Sequence, residues 1–91
     1  MQESKLQTKI LLFLRNRGFI AEKMEFFHNG YPDIFALRDG EVYFIEVKGE
    51  GEKPKPLQLI RLEELDNHGA ITTWVDSWES FESFMRDNNI K

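Results

Sequence analysis

The sequence PDIFALRDGEVYFIEVKGEG, residues 32–51, contains two apolar runs separated by Asp39-Gly40. An Asp-Gly pair between apolar runs is the strongest short-range signal for a β-hairpin. The runs 34–37 and 42–47 are nearly continuous, which is typical of strands that are covered on both faces. The stretch therefore predicts two antiparallel strands at the centre of the fold. It also places two acids, Asp33 and Glu46, where core residues are expected.

The register of this hairpin decides whether the two acids meet. A two-residue turn at Asp39-Gly40 aligns the strands so that Asp33 lies opposite Glu46. Directly opposed residues share one face of the sheet, with Cβ atoms about 4.5 to 5.5 Å apart. Alternation along the strand then places Lys48 on the same face. A three-residue bulged turn would break this alignment, so the prediction depends on the tight turn.

The predicted acid pair needs a positive charge between its members. Two carboxylates about 5 Å apart repel by roughly 3 kcal/mol at an effective dielectric of ~20, a large share of the ~5 to 15 kcal/mol that stabilises a domain. Lys48 compensates for part of this repulsion. A divalent cation would compensate fully, and oxygen ligands favour Mg²⁺, with Mn²⁺ as a substitute, over Zn²⁺. A metal beside a lysine can activate water and stabilise charge on a phosphate, which is the chemistry of phosphodiester hydrolysis.

A simpler interpretation exists for each piece of the motif. Glu-x-Lys at a strand end is common as a solvated ion pair, and Pro-Asp is a common turn. Either piece alone favours a structural role. The two pieces in register, followed by the glycine-rich segment 49–51, favour a metal site.

The other elements follow from apolar periodicity. Residues 4–17 predict a helix that begins at a Ser4/Gln7 capping box and ends before Gly18. Residues 19–27 predict a half-exposed strand, and 70–75 predict another. Pro56 suits the first turn of a helix whose inward residues would be Leu59, Leu62 and Leu65. A last helix, capped by Asp76 and Glu79, has an apolar stripe at Trp78, Phe81, Phe84 and Met85. The predicted order is α-β-β-β-α-β-α.

Length and composition limit the classes of protein that remain. The 91 residues, 41% of them apolar, indicate one folded domain with a modest core. The formal net charge of -4 argues against a broadly basic surface, so any contact with nucleic acid must be local. The absence of cysteine excludes disulfides and thiolate zinc sites. No apolar run approaches the length of a membrane span, and we expect an intracellular, cytoplasmic protein.

These motifs resemble those of the PD-(D/E)xK nuclease superfamily, with Pro32-Asp33 as the first half and Glu46-Val47-Lys48 as the second. More narrowly, the chain is similar to the VRR-NUC (virus-type replication-repair nuclease) family across residues 1–91. The matching stretches are ESKLQ at 3–7, GYPDIFAL at 30–37, FIEVKGEG at 44–51, and PLQ at 56–58 with Gly69 downstream. The resemblance implies one nuclease domain. Its expected fold is α/β and restriction-endonuclease-like, an α-β-β-β-α-β core with a mixed central sheet flanked by helices, plus a C-terminal helix.

The resemblance also implies roles for individual residues. Asp33 and Glu46 would ligate the metal, with the carbonyl of Val47 as a further ligand, and Lys48 would be the catalytic lysine. Glu3 matches an acid that the first helix of the family contributes to the metal site, although a favourable charge at a helix N-terminus explains it equally well. Gln58 matches a catalytic glutamine of the family. Its position alone would make it a surface residue.

Several basic residues lie near the expected site or on the first helix. Lys53 and Lys55 precede the second helix, where related sequences often have a serine cap, and we expect them to bind nucleic acid. Arg61 on that helix is a further candidate. The first helix adds Lys5, Lys9, Arg15 and Arg17. For each of these residues a solvated surface position is the alternative. His28 precedes the Pro-Asp motif, and a structural loop role explains it better than a general base.

Three functions are compatible with the sequence. The first is a Mg²⁺-dependent DNA endonuclease acting on branched DNA, in particular a homodimer that resolves Holliday junctions, as the resemblance to stand-alone phage-encoded enzymes implies. The second is a nucleic-acid or protein-binding module that kept the fold without catalysis. The third is an interaction domain that does not bind DNA, which the net charge favours slightly. Dependence on Mg²⁺ separates the first two, and the salt dependence of DNA binding separates the third.

Overall fold

In the part of the chain that the structure describes, three helices and four strands follow one another in the order predicted from the sequence. The computed structural model describes residues 1–25 and 29–91. The helices are α1 (Glu3–Asn16), α2 (Pro56–Asn67) and α3 (Trp78–Asp87). The strands are β1 (Ile20–Lys23), β2 (Ile34–Arg38), β3 (Glu41–Val47) and β4 (Ile71–Val75). None of the helices within the described ranges is long and apolar enough to cross a bilayer.

The four strands form one mixed sheet in the order β1-β2-β3-β4. The pairs β1–β2 and β2–β3 are antiparallel, whereas β3–β4 is parallel. Parallel neighbours require a crossover, and α2 provides it. Asp39 and Gly40 have φ values of 53° and 81°, as a two-residue hairpin turn of the favoured type requires. Arg38 pairs with Glu41, so the predicted register of the hairpin is confirmed.

The two faces of the sheet are covered unequally. One face packs against α1 and α3 and carries the buried core, including Ala36, Tyr43 and Ile45. Within the described ranges, the opposite face packs only against α2, and its aromatic residues Phe35 and Phe44 stay half-buried. Helices therefore cover both faces of the sheet, as predicted, but the α2 face is covered only in part. A single short helix does not cover four strands.

The inward stripe of α2 also differs from the prediction. Leu62 is buried and Leu65 is half-buried, but Leu59 is 47% exposed. The residues that turn toward the sheet with Leu62 are Gln58 and Arg61, both half-buried. Positions 58, 61, 62 and 65 follow helical spacing. Apolar periodicity did not predict this stripe, because two of its four residues are polar.

The starts of helices α1 and α3 and the length of strand β1 differ from the predictions. Helix α1 begins after Gln2 without a side-chain cap, and Ser4 lies inside the helix, so the predicted Ser4/Gln7 capping box is wrong. Helix α3 is capped by Ser77, whose Oγ accepts a hydrogen bond from the backbone amide of Ser80 at 3.1 Å, one residue beyond the predicted cap. Strand β1 ends at Lys23. The predicted strand is therefore too long at Met24 and Glu25, and its last positions, 26–27, lie outside the described residues together with His28.

Candidate active site

The two acids of the motif converge at one end of the β2–β3 hairpin. Asp33 immediately precedes β2, and its backbone carbonyl accepts a hydrogen bond from the amide of Met24 at 2.8 Å. Its side-chain Oδ2 accepts a hydrogen bond from the amide of Val47 at 2.7 Å. This second bond reaches across the hairpin to the strand that carries Glu46. The side chain of Asp33 is therefore held at the end of β3.

Glu46 is a buried carboxylate with an unusual environment. Its side chain is 2% exposed, and Oε1 has no hydrogen-bond partner within the described part of the chain. Burial raises the pKa of Glu46 to about 8, and the neighbouring charge of Asp33 contributes in the same direction. The positive charge of Lys48 lowers the pKa of Glu46, whereas the negative charge of Glu3 raises it by a smaller amount. A buried, unpartnered carboxylate oxygen is costly. Some ligand is expected to offset that cost.

Lys48 follows β3 and lies beside Glu46. It is 9% exposed, and its Nζ lies 3.8 Å from Glu46 Oε2. The same ammonium donates a hydrogen bond to Gln58 Oε1 at 3.3 Å. Lysine is seldom this buried without a partner. Its position between an acid and an amide fixes the ammonium at the edge of the acid pair.

Gln58 connects the site to the start of α2. Its Oε1 accepts a hydrogen bond from the backbone amide of Lys55 at 2.8 Å, in addition to the one from Lys48. The first amides of a helix lack partners inside the helix, so this bond replaces a side-chain cap at Lys55. The sequence alone would have placed Gln58 on the surface. In the fold it contacts both the helix start and the buried lysine.

The loop before Asp33 packs against α2. Gly30 has a φ of +87°, and a Cβ there would lie 2.6 Å from Leu57 Cγ. The guanidinium of Arg61 lies 4.7 Å from the centre of the Tyr31 ring and forms an ion pair with Glu64. Sequence reasoning did not identify this contact between the loop and α2. The sequence feature that could have indicated this contact is Gly30, which interrupts the apolar pattern two residues before Pro32.

The remaining predicted site residues are more peripheral. Glu3 is exposed in the first turn of α1, and its charge reaches Glu46 only as a minor contribution. Within the described ranges, no three acids or histidines form a group that could hold a metal. Lys53 and Lys55 are exposed in the loop before α2. The compact part of the site therefore consists of Asp33, Glu46, Lys48 and Gln58.

The donor set of this compact site fits a divalent cation. Glu46 Oε1 is buried without a partner, and Asp33 supplies a second carboxylate beside it. Burial, and after it the charge of Asp33, raises the pKa of Glu46, and a bound cation would favour the charged form that both of them disfavour. Hard carboxylate oxygens suit Mg²⁺ or Mn²⁺. Two carboxylate side chains do not complete the coordination of such a cation, so positions remain for water and for oxygens of a substrate.

An open depression of about 820 Å³ lies beside the N-terminus of α1. It is lined by Met1, Gln2, Glu3, Lys5, Gly49, Glu50 and Glu52. Gly49 directly follows Lys48, so the depression borders the catalytic candidates.

Comparison with known proteins gives structural but not sequence-level matches. No family model matches the chain, and no curated protein matches it. A solved structure described as "VRR_NUC domain" is similar with a TM-score of 0.82 and 28% identity, covering 92% of this chain and 94% of the other. A second, described as "VRR_NUC domain protein", has a TM-score of 0.77 and 19% identity, covering 96% of this chain and 87% of the other.

The two matches cover most of the chain. The mixed sheet with helices on both faces is that of the restriction-endonuclease-like α/β class, as predicted. The sequence resemblance and the structural matches lead to the same group of nuclease domains. The chain has the VRR-NUC fold.

Proposed function

We propose that this protein is a Mg²⁺-dependent DNA endonuclease. The observation that carries the proposal is the buried Glu46 carboxylate, which has one oxygen without a partner and lies beside Asp33 and Lys48. A binding module has no need for two acids and a lysine at one buried point. The cost of burying them is understandable if the group performs chemistry.

The roles of the residues follow from their positions. Asp33 and Glu46 would hold the metal, with the Val47 carbonyl as the further ligand implied by the family resemblance. When bound, Mg²⁺ would supply a Lewis acid for the phosphate and lower the pKa of a water molecule. Lys48 carries a fixed ammonium at the edge of the acid pair, suited to a phosphate oxygen or to the attacking water. Gln58 keeps that ammonium in place through its hydrogen bond at 3.3 Å.

The proposed substrate is branched DNA, with the four-way (Holliday) junction as the first choice, cleaved by a homodimer. The support is the resemblance to stand-alone phage-type VRR-NUC domains. Two sites related by a two-fold axis suit paired cuts on opposing strands. Exposed apolar side chains on α2, Leu57, Leu59 and Ile60, provide surface for a second copy. Mn²⁺ is expected to replace Mg²⁺, and an intracellular location follows from a DNA substrate.

The test is incubation of the purified protein with linear, flapped and four-way DNAs, with and without Mg²⁺, alongside its mass in solution. Variants Lys48→Met and Glu46→Gln should be inactive. Glu82→Gln, an exposed change on α3, serves as the matched control and should cleave normally. Cleavage that is equal in Lys48→Met and in the wild type would refute the proposed site. Tight binding of DNA that is indifferent to Mg²⁺, without cleavage, would identify a binding module instead.

A further inference from the structure

The charges of the chain are distributed unevenly, and α1 is the basic element. Residues 4–21 contain four basic residues and no acidic residue. The remaining positions carry eight basic and sixteen acidic residues. A protein with a net charge of -4 therefore has one helix whose solvent face is positive. Such a local patch is the electrostatic footprint of a contact with phosphates.

Only two of the four basic residues on this segment are available to a ligand. Arg15 forms an ion pair with Glu22 and donates a hydrogen bond to the carbonyl of Ala21 at 2.9 Å. Arg17 stacks on the ring of Phe13. Lys5 and Lys9 form no ion pair with any carboxylate in the part of the chain that the structure describes. Both are exposed.

Lys5 and Lys9 lie one helical turn apart on the same face of α1. The ammonium of Lys9 lies 4.1 Å from the ring centre of Trp78, which limits its freedom without neutralising its charge. A shallow groove of about 400 Å³ runs between them, lined by Ser4, Lys5, Thr8, Lys9 and Leu12. These side chains combine two positive charges with two hydroxyls.

This groove adjoins the open depression that lies next to the candidate active site. Lys5 lines both the groove and the open depression that Glu3 and Gly49 also line. The loop on the other side of that depression carries Glu50 and Glu52 next to Lys53, so its positive charge is largely offset. Beyond Glu3, by contrast, α1 carries Lys5 and Lys9 with no acid along residues 4–21.

We propose that the DNA backbone that enters the active site runs along α1, with its phosphates on Lys5 and Lys9. This inference rests on the proposed nuclease function and assigns the surface that holds the substrate. The occupant is a sugar–phosphate backbone, because lysines and hydroxyls on a helix face contact phosphates without reading bases. The contact therefore contributes affinity that is independent of sequence and sensitive to salt.

The test measures DNA binding in EDTA, so that cleavage does not interfere. The dissociation constant of a labelled four-way junction is followed by fluorescence anisotropy over a series of salt concentrations. The variant is Lys5→Gln/Lys9→Gln. The matched control is Arg86→Gln/Lys91→Gln, which removes the same charge from exposed positions outside α1. Thermal melting establishes that all the variants are folded, and Lys5→Arg/Lys9→Arg retains the charges.

Two phosphate contacts predict that the slope of log affinity against log salt falls by about two in the α1 variant. Its dissociation constant at low salt should rise several-fold, whereas the control and the arginine variant should bind like the wild type. Equal slopes in the α1 variant and the control would overturn this proposal, even if the wild type cleaves DNA with Mg²⁺. The predicted slopes without any cleavage by the wild type would support the surface and refute the nuclease proposal.

Discussion

The side chain of Asp33 accepts a hydrogen bond from the backbone amide of Val47 at 2.7 Å, across the β2–β3 hairpin. This bond joins the first half of the motif to the strand that carries the second half. It also occupies one oxygen of the proposed metal ligand with a structural task. Asp33 is therefore expected to influence both stability and chemistry, and different substitutions should separate the two.

Asp33→Asn should lose Mg²⁺-dependent cleavage by at least ~100-fold while it stays folded, because an amide oxygen can still accept the Val47 bond but carries no charge for the metal. Asp33→Ala should be inactive and also less stable by about 1 to 3 kcal/mol, since the Val47 amide is left without a partner. Cleavage assays and thermal melts measure the two effects. Asp39→Asn, in the hairpin turn at the other end of β2, should change neither. Equal melting temperatures for the Ala and Asn variants would show that the bond adds no stability.

The stability of the metal-free protein should fall as the pH rises. Glu46 has a folded-state pKa of about 8 against an ordinary pKa of 4.5, so the folded state binds a proton more tightly than the unfolded state does. Its contribution to stability is complete below about pH 4.5, declines between pH 4.5 and 8, and is lost above pH 8. Each pKa unit corresponds to about 1.4 kcal/mol, which shifts the melting temperature of a small domain by several degrees.

The measurement is the melting temperature in EDTA at pH 6 and pH 9 for the wild type and for Glu46→Gln. The difference between the two proteins isolates Glu46 from the other titrating groups. The wild type should lose more stability than the variant as the pH rises. Added Mg²⁺ at pH 9 should restore the wild type but not the variant. Parallel pH profiles for the two proteins would contradict the buried position of the carboxyl.

Gln58 should have a structural and a positioning effect. Gln58→Ala removes the acceptor for the Lys55 amide, a helix-cap loss of about 1 kcal/mol, and releases the ammonium of Lys48. We expect a lower melting temperature together with a reduced kcat. Glu63→Ala on the exposed face of α2 is the control and should alter neither. A reduced melting temperature with an unchanged kcat would leave Gln58 as a cap alone.

The contact between Gly30 and Leu57 can be tested by a pair of glycine substitutions. Gly30→Ala would place a side chain at a residue with positive φ, and its Cβ would lie only 2.6 Å from Leu57 Cγ. Gly51 has a φ of +79°, but a Cβ there would have no atom within 4 Å. Gly51→Ala should therefore lower the free energy of unfolding only by the cost of the backbone conformation, about 1 kcal/mol. Gly30→Ala should therefore be the more destabilising change in urea unfolding. Adding Leu57→Ala should reduce that excess, and purely additive effects would argue against the contact.

The hairpin and its acid pair were predictable from the sequence because the information is local. Asp39-Gly40 specifies a tight turn, the turn specifies the register, and the register places Asp33 beside the strand of Glu46. No packing detail was needed for these steps. The complete order of helices and strands followed from periodicity in the same way.

Other features depend on contacts that the sequence does not display. Leu59 was expected to point inward, but Gln58 and Arg61 take the inward positions because they contact Lys48 and Tyr31. A buried helix face that contains polar residues shows no apolar periodicity in the sequence. The missing partner of Glu46 Oε1 is likewise a property of packing. Catalytic roles and metal binding at these positions stay predictions.

The compact site residues, from Asp33 to Gln58, come from one uninterrupted segment: a hairpin, the loop after it and the first turn of α2. Neither α3 nor β1 contributes a side chain to this group. Changes in the length of the α1–β1 connection, or additions after β4, therefore leave the spacing of the group untouched. Those parts of the chain can therefore diverge in length without displacing the four side chains relative to one another.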